Sequence, residues 1–252
     1  CTLILSLFLP LSAFASDLQK AQDAYENSDF KTAFEAYTSA AKAGNARACF
    51  QLGKMLDEGQ GVEEDDAKAV KWYRRSAELG FLYGKYNMGV MYYHGRGVEQ
   101  DREKAAAWYR KAAEENYSEA QTNLGSMLYH GEGISQNQAE AASWFLKAAE
   151  QGHAQAQSNL GVAYENGQGV PVDLVKAASW YQKAAEQGHG TAQFSLGLMV
   201  ENGRGVELNP PRAVKWYRRA AEQGLATGQL NLGLMIFSGS GVDQSYEEAL
   251  KW

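Results

Sequence analysis

Two kinds of apolar segment alternate along this chain, each spaced as one face of a helix. The first centres on an apolar residue followed by glycine, at Leu52-Gly53, Met88-Gly89, Leu124-Gly125, Leu160-Gly161, Leu196-Gly197 and Leu232-Gly233. The second is alanine-rich and carries a tryptophan, as in Ala105-Ala106-Ala107-Trp108-Tyr109-Arg110-Lys111-Ala112-Ala113. Apolar positions recurring at this period predict helices in both kinds. Polar stretches rich in glycine separate them, so each pair predicts one helical hairpin.

The hairpins recur at a fixed interval. All six tryptophans, Trp72, Trp108, Trp144, Trp180, Trp216 and Trp252, stand 36 residues apart. A single-core protein scatters its large aromatics, whereas constant spacing means one local environment built repeatedly. Three columns, starting at Gly53, Gly59 and Gly61 and repeating every 36 residues, hold 18 of the 26 glycines. Glycine inside a helix costs about 1 kcal/mol relative to alanine. The Gly53 column therefore predicts close approach of a neighbouring helix backbone. The other two columns form a G-x-G that reads as a helix C-cap and a turn with positive φ. Asp65, Asp101, Asn137, Asp173, Asn209 and Ser245 are predicted N-caps of the second helices. Glu140 and Glu248 are placed to complete capping boxes, and Pro210 occupies a first helical position. Gly80, Asn116, Gly152, Gly188 and Gly224 suit a left-handed helix end. The tryptophans and the rings that follow them are expected to be buried between helices.

The pattern A-x-x-x-L-G-x-x-Y-x-x-G-x-G-V-x-x-D-x-x-K-A-x-x-W-Y-x-x-A-A-x-x-G resembles the Sel-one-like repeat, a longer-looped relative of the tetratricopeptide repeat. Ala156 to Gly188 matches it most closely, through Leu160-Gly161, Tyr164, Gly167, Gly169-Val170, Asp173, Lys176-Ala177, Trp180-Tyr181, Ala184-Ala185 and Gly188. The resemblance implies an all-α fold, a right-handed α/α solenoid of 36-residue helical hairpins. It covers residues 46–252 as six repeats, the last one cut short after Trp252. Residues 16–45 read as a degenerate capping helical pair, with Asp29, Tyr37, Ala41 and Gly44 in register and Ala36 in place of the tryptophan.

Residues 1–15 carry no charge, are mostly apolar and end in Ala13-Phe14-Ala15. They read as the core and cleavage site of a signal peptide, too short to span a bilayer. A periplasmic or secreted location is expected, with no transmembrane segment in the mature chain. Cys49 would then be its only cysteine, and an inert packing residue is the expected role.

Other constellations are weak. G-x-G between two helices is a turn, not the phosphate-cradling loop of a βαβ unit. His94 with His130, and His153 with His189, occupy shared columns as solvated loop positions and supply too few ligands for a metal site. The basic-aromatic segments from Lys71 and Lys215 sit in a chain of net charge -6, which disfavours nucleic acid. No nucleophile, metalloprotease or nucleotide-binding motif occurs, and no small-molecule cofactor is expected.

Among the repeats, fixed columns report packing and variable columns are free for specialisation. The small column Ala48, Gly84, Ala120, Ala156, Ala192 and Gly228 marks the packed side of the first helices. By analogy with tetratricopeptide units, the neighbouring stripe lines a concave groove. It contains Tyr83, Tyr86 and Tyr93 in the second unit, with Tyr129, Phe50, Phe194 and Phe237 at related positions. Exposed rings beside charges such as Asp57 and Glu201 suit a protein or peptide partner. The expected function is an exported, non-enzymatic scaffold binding in this groove. The alternatives are a cell-wall glycan-binding module and a cell-wall hydrolase whose carboxylates converge only on folding.

Overall fold

A computed structural model describes residues 11–252, with side chains from Leu18 onward. Residues 1–10, most of the expected signal peptide, lie outside the described residues. Every regular element among the described residues is a helix. The described residues divide into two compact units, one ending at Glu115 and the other running from Asn116 to Trp252. Each is a solenoid of helical hairpins with a 36-residue repeat.

The first unit contains α1 (Leu11–Glu26), α2 (Phe30–Lys42), α3 (Ala46–Asp57), α4 (Asp66–Glu78), α5 (Leu82–His94) and α6 (Arg102–Glu114). The second contains α7 (Ser118–His130), α8 (Gln138–Glu150), α9 (Ala154–Asn166), α10 (Leu174–Glu186), α11 (Gly190–Asn202), α12 (Pro210–Glu222), α13 (Ala226–Ser238) and the short α14 (Tyr246–Ala249). Within each unit a helix packs on the one before it and the one after it. In the first pair, Asp29 caps α2, Tyr37 is buried, and Gly44 has φ 89°.

Inside each hairpin a ring lies on a glycine. A Cβ on Gly53 would fall 2.8 Å from Tyr73 Cδ1, and the same clash is 2.5 Å at Gly89 with Tyr109. It recurs at 2.7 Å for Gly125 with Phe145, Gly161 with Tyr181 and Gly197 with Tyr217. The glycine column therefore serves a ring, not the helix backbone expected from the sequence. Backbones approach instead at the small column, where a Cβ on Gly84 would meet Ala77 N at 2.7 Å.

The ring on the glycine is the one after the tryptophan. Tyr73, Tyr109, Phe145, Tyr181 and Tyr217 are at most 2% exposed. Trp144 and Trp216 are buried at 8%, whereas Trp72, Trp108 and Trp180 are only half-buried. Their outer faces carry cations one turn on, with Lys111, Lys147 and Lys183 Nζ at 4.1, 3.9 and 3.8 Å from the indoles of Trp108, Trp144 and Trp180. The expectation of tryptophans buried between helices thus holds at Trp144 and Trp216 and is corrected at Trp72, Trp108 and Trp180. A bulky indole at the seam covers the core from outside while its smaller neighbour fills the space the glycine leaves.

The caps fall where the sequence places them. Asp65, Asp101, Asn137, Asp173, Asn209 and Ser245 each accept an orphan N–H three residues on. Gly95, Gly131, Gly167, Gly203 and Gly239 end first helices in the left-handed conformation. The capping boxes do not close, because the N–H groups of Asn137 and Ser245 donate to Leu128 O and Ile236 O of the preceding helix. Glu140 Oε1 instead accepts from Trp144 Nε1 at 3.2 Å, and Glu248 pairs with Arg218 at 3.1 Å.

Consecutive hairpins are joined in two ways. Within each unit the second glycine of a loop presses on the start of the preceding second helix: a Cβ on Gly97 would lie 2.2 Å from Asp66 O, and one on Gly169 2.0 Å from Gln138 O. On the opposite edge runs a ladder of amides. Gln121, Gln157 and Gln193 are buried and accept from Gln151, Gln187 and Gln223 at 2.7, 2.7 and 2.8 Å. In the first unit the same columns hold an ion pair, Lys85 with Glu115. Cys49 shares the Gln column; it is buried, its Sγ is 3.7 Å from Ala41 O, and burial pushes the thiol up, away from the reactive thiolate.

Replacing the glycine or its ring should therefore destabilise more than replacing the tryptophan. Gly161→Ala gains about 1 kcal/mol of helix propensity but forces Tyr181 aside, for an overpacking cost of about 1–3 kcal/mol. Tyr181→Ala should cost about 3–5 kcal/mol and Trp180→Ala clearly less. Urea unfolding of the three variants checks the order; Trp180→Ala as the most damaging would refute it.

Candidate functional site

In the first unit the first-helix face is built on the core rings. Phe50 is half-buried over Tyr73, with ring centroids 5.9 Å apart, and Tyr86 lies over Tyr109 at 5.7 Å. Tyr83 is 44% exposed and packs against Phe50 at 5.7 Å and Phe81 at 5.4 Å. Tyr93 is half-buried near the end of α5, with the Arg102 guanidinium 5.3 Å from its ring. The stripe expected to be exposed is thus mostly half-buried: Tyr83 projects, while Phe50, Tyr86 and Tyr93 each show one side.

Asp57 belongs to the core rather than to the groove. It accepts from Tyr73 Oη at 3.3 Å and pairs with Arg96, which also reaches Asp66 at 2.9 Å. Burial outweighs the guanidinium and carries its carboxyl up to about 6. Glu165 and Glu201 do the same for Tyr181 and Tyr217, at 2.9 and 2.6 Å. A buried phenol needs such an acceptor, so these acids are committed to packing. In the repeat before that of Glu165 the pair is Tyr129 over Phe145, centroids 6.5 Å apart, and the ring on the glycine there carries no phenol oxygen to satisfy.

In the second unit a hollow of about 300 Å³ lies between α7 and α9, with Tyr129 and Phe145 as its floor and Thr122, Ser126, Gln155 and Asn159 on its sides. Phe194 is half-buried over Tyr217 at 5.8 Å. Phe237 is 56% exposed and edges onto Tyr246 at 5.1 Å. A larger apolar hollow beside it, with Leu230, Leu234 and Trp252, surrounds Gly233. Gln100, Gln136 and Gln244 each donate to the carbonyl seven residues back, at Tyr93, Tyr129 and Phe237. The loop thereby fixes the helix end that presents each ring.

His153 and His189 are not the solvated loop residues the sequence suggested. They are half-buried N-caps of α9 and α11, their Nδ1 atoms facing Ala156 N at 3.4 Å and Ala192 N at 3.2 Å. His189 Nε2 lies 3.0 Å from Gln155 Oε1, and His153 Nδ1 3.0 Å from Thr122 Oγ1, so each also ties its repeat to the one before. The signal was available: both share a column with Asn45, which caps α3. His94 and His130 are exposed, edge-on to Tyr93 and Tyr129. Among the described residues no three His, Cys, Asp or Glu side chains form a group that could hold a metal ion.

Comparison with known proteins agrees with this geometry. The Sel1 repeat profile matches residues 46–81, 82–117, 118–153, 154–189, 190–225 and 226–252. The chain belongs to the Sel1 repeat family. It is similar to c5321, described as a protective antigen present in uropathogenic Escherichia coli strains, at 41% identity and TM-score 0.83 over 86% of this chain and 46% of that one. The chain thus spans about half the length of that relative. A Sel1 repeat protein from Oxalobacter formigenes is 30% identical at TM-score 0.85, covering 94% of both chains. The immunity protein Pa5087 of Pseudomonas aeruginosa, at 23% identity and TM-score 0.50 over 82% of this chain and 83% of its own, shares the fold. No curated protein matches significantly.

The histidine caps make stacking of these Sel1 repeats sensitive to pH. Burial lowers the affinity of both for a proton; Glu119 partly offsets this at His153, and His153 reinforces it at His189. The unfolded chain therefore binds these protons first, near pH ~6.5. The stability that the neutral caps contribute is full above that value and is lost as the pH falls below it. Asp57, whose carboxyl takes up a proton more readily in the folded chain, gains stability over the same fall in pH and opposes the caps. As the pH falls from 7.5 to 5, the urea midpoint of the double variant His153→Asn, His189→Asn, which keeps a cap, should therefore rise relative to that of the parent; a constant difference between the two would exclude the caps as a source of pH sensitivity.

Proposed function

We propose that this chain is an exported, non-enzymatic scaffold that holds a protein or peptide partner on its first-helix face. The observation that carries this reading is the division of labour among the columns. Ring, glycine and cap positions repeat from hairpin to hairpin, while the face above them changes: Arg47 and Lys54 on α3, Tyr83 and Val90 on α5, Glu119 and Ser126 on α7. A surface that varies over an unvarying frame suits recognition of an extended, irregular partner. Half-buried rings suit it too, because they offer contact area at little cost in side-chain entropy.

Site-specific photocrosslinking tests the face. A benzophenone side chain at Tyr83 or Phe237 should give discrete adducts in the parent cells, and one at exposed Ala107 or Ser143 on the second helices few or none. Adducts confined to the second helices would move the site to the other face. A glycan array run on the same protein separates the glycan-binding alternative.

Export has its own test. Residues 1–30, preceded by Met and a basic segment, should deliver a periplasm-dependent reporter with a new N-terminus at Ser16. A reporter retained in the cytoplasm would overturn the location.

A further inference from the structure

Phe50, Phe81 and Tyr83 form a cup at the junction of α3 and α5. Their centroids are 5.5 Å apart for Phe50 and Phe81, 5.7 Å for Phe50 and Tyr83, and 5.4 Å for Phe81 and Tyr83. The rings are tilted by 49°, 38° and 53° to one another, and they line a hollow of about 450 Å³. Arg47 and Gln51 complete its wall.

Phe81 sits where other repeats place a capping side chain. Asn45, His153 and His189 occupy that column and bond the helix N–H three residues on, whereas Phe81, like Tyr117 and Leu225, makes no such bond. Its ring joins the cup instead. Arg47 is exposed, and its guanidinium meets a neutral oxygen, Gln22 Oε1, at 3.3 Å; it makes no ion pair with any described residue.

We propose that this cup binds an extended acidic peptide segment, taking one aromatic or leucine side chain among the three rings while an adjacent Asp or Glu side chain pairs with Arg47. This rests on the peptide-binding reading above and deepens it. Three tilted rings enclose one compact apolar group, whereas a sugar ring stacks on a flat face. A bare aromatic cup also suits a cation, but a guanidinium in its wall repels one and forms a two-point contact with a carboxylate. The chain's net charge of -6 gives an acidic ligand no general attraction, so recognition must come from Arg47 itself.

Selection from a randomised dodecapeptide library, displayed with blocked C-termini, on the full chain and on its Arg47→Glu and Phe81→Ser variants tests this. The full chain should enrich peptides with Asp or Glu within two residues of an aromatic or Leu. Arg47→Glu should shift that enrichment to Lys or Arg, and Phe81→Ser should weaken the selected peptides at least about tenfold. Circular dichroism should find both variants as helical as the parent. Peptides selected without acidic preference, or equally by Arg47→Glu, would overturn the proposal while leaving a peptide-binding face in place. Failure to enrich any peptide would overturn it as well, and crosslinks from Tyr83 would then decide whether the broader reading stands.

Discussion

The contact between a ring and a glycine is what the rest of each hairpin depends on. Twenty residues separate Gly53 from Tyr73, and the same interval joins Gly89 to Tyr109 and Gly161 to Tyr181. Removing the Cβ lets the ring lie against the first helix, which draws the two helices together and buries the phenol body. Full burial of such a side chain is worth roughly 2–3 kcal/mol, against a helix-propensity cost of about 1 kcal/mol for the glycine. The exchange is favourable only if the phenol oxygen is also satisfied. That requirement explains the acids at Asp57, Glu165 and Glu201, and the phenylalanine at Phe145 where Tyr129 replaces the acid.

A hairpin held this way still cannot bury both of its sides, so stacking supplies the remainder. Stacking is specified at two edges by chemistry that does not slide. The loop glycines Gly97 and Gly169 press on a neighbouring backbone so closely that no side chain fits. The amide pairs Gln151 to Gln121 and Gln187 to Gln157 bury polar groups that are costly unless both partners are in register. Apolar contact alone would tolerate a shifted hairpin; these two edges penalise it.

Much of this was legible in the sequence, and the reason is locality. A left-handed helix end at Gly95 or an N-cap at Asp101 follows from what a few consecutive residues must do. Depth of burial is different, because it depends on which of two adjacent aromatics faces the first helix. Periodicity marks Trp180 and Tyr181 equally, and only the fold shows that Tyr181 takes the glycine. The groove residues suffer the same ambiguity. Tyr86 and Phe194 share a column with Phe50, and whether a ring there faces solvent or the core below is set by contacts distant in sequence.

The frame also limits where a partner can be read. Any side chain that supports a core ring is withdrawn from recognition, which removes Asp57 and Glu201 from the face although the sequence offers them as charges. Any column free of that duty can change without loss of the fold. Phe81 illustrates the exchange: a position that caps a helix at Asn45 and His189 forgoes the cap, at a cost of about 1 kcal/mol, and contributes a ring to the surface instead. Departures of this kind are therefore places to look for recognition, because there a stabilising bond is absent and a half-buried aromatic stands in its place.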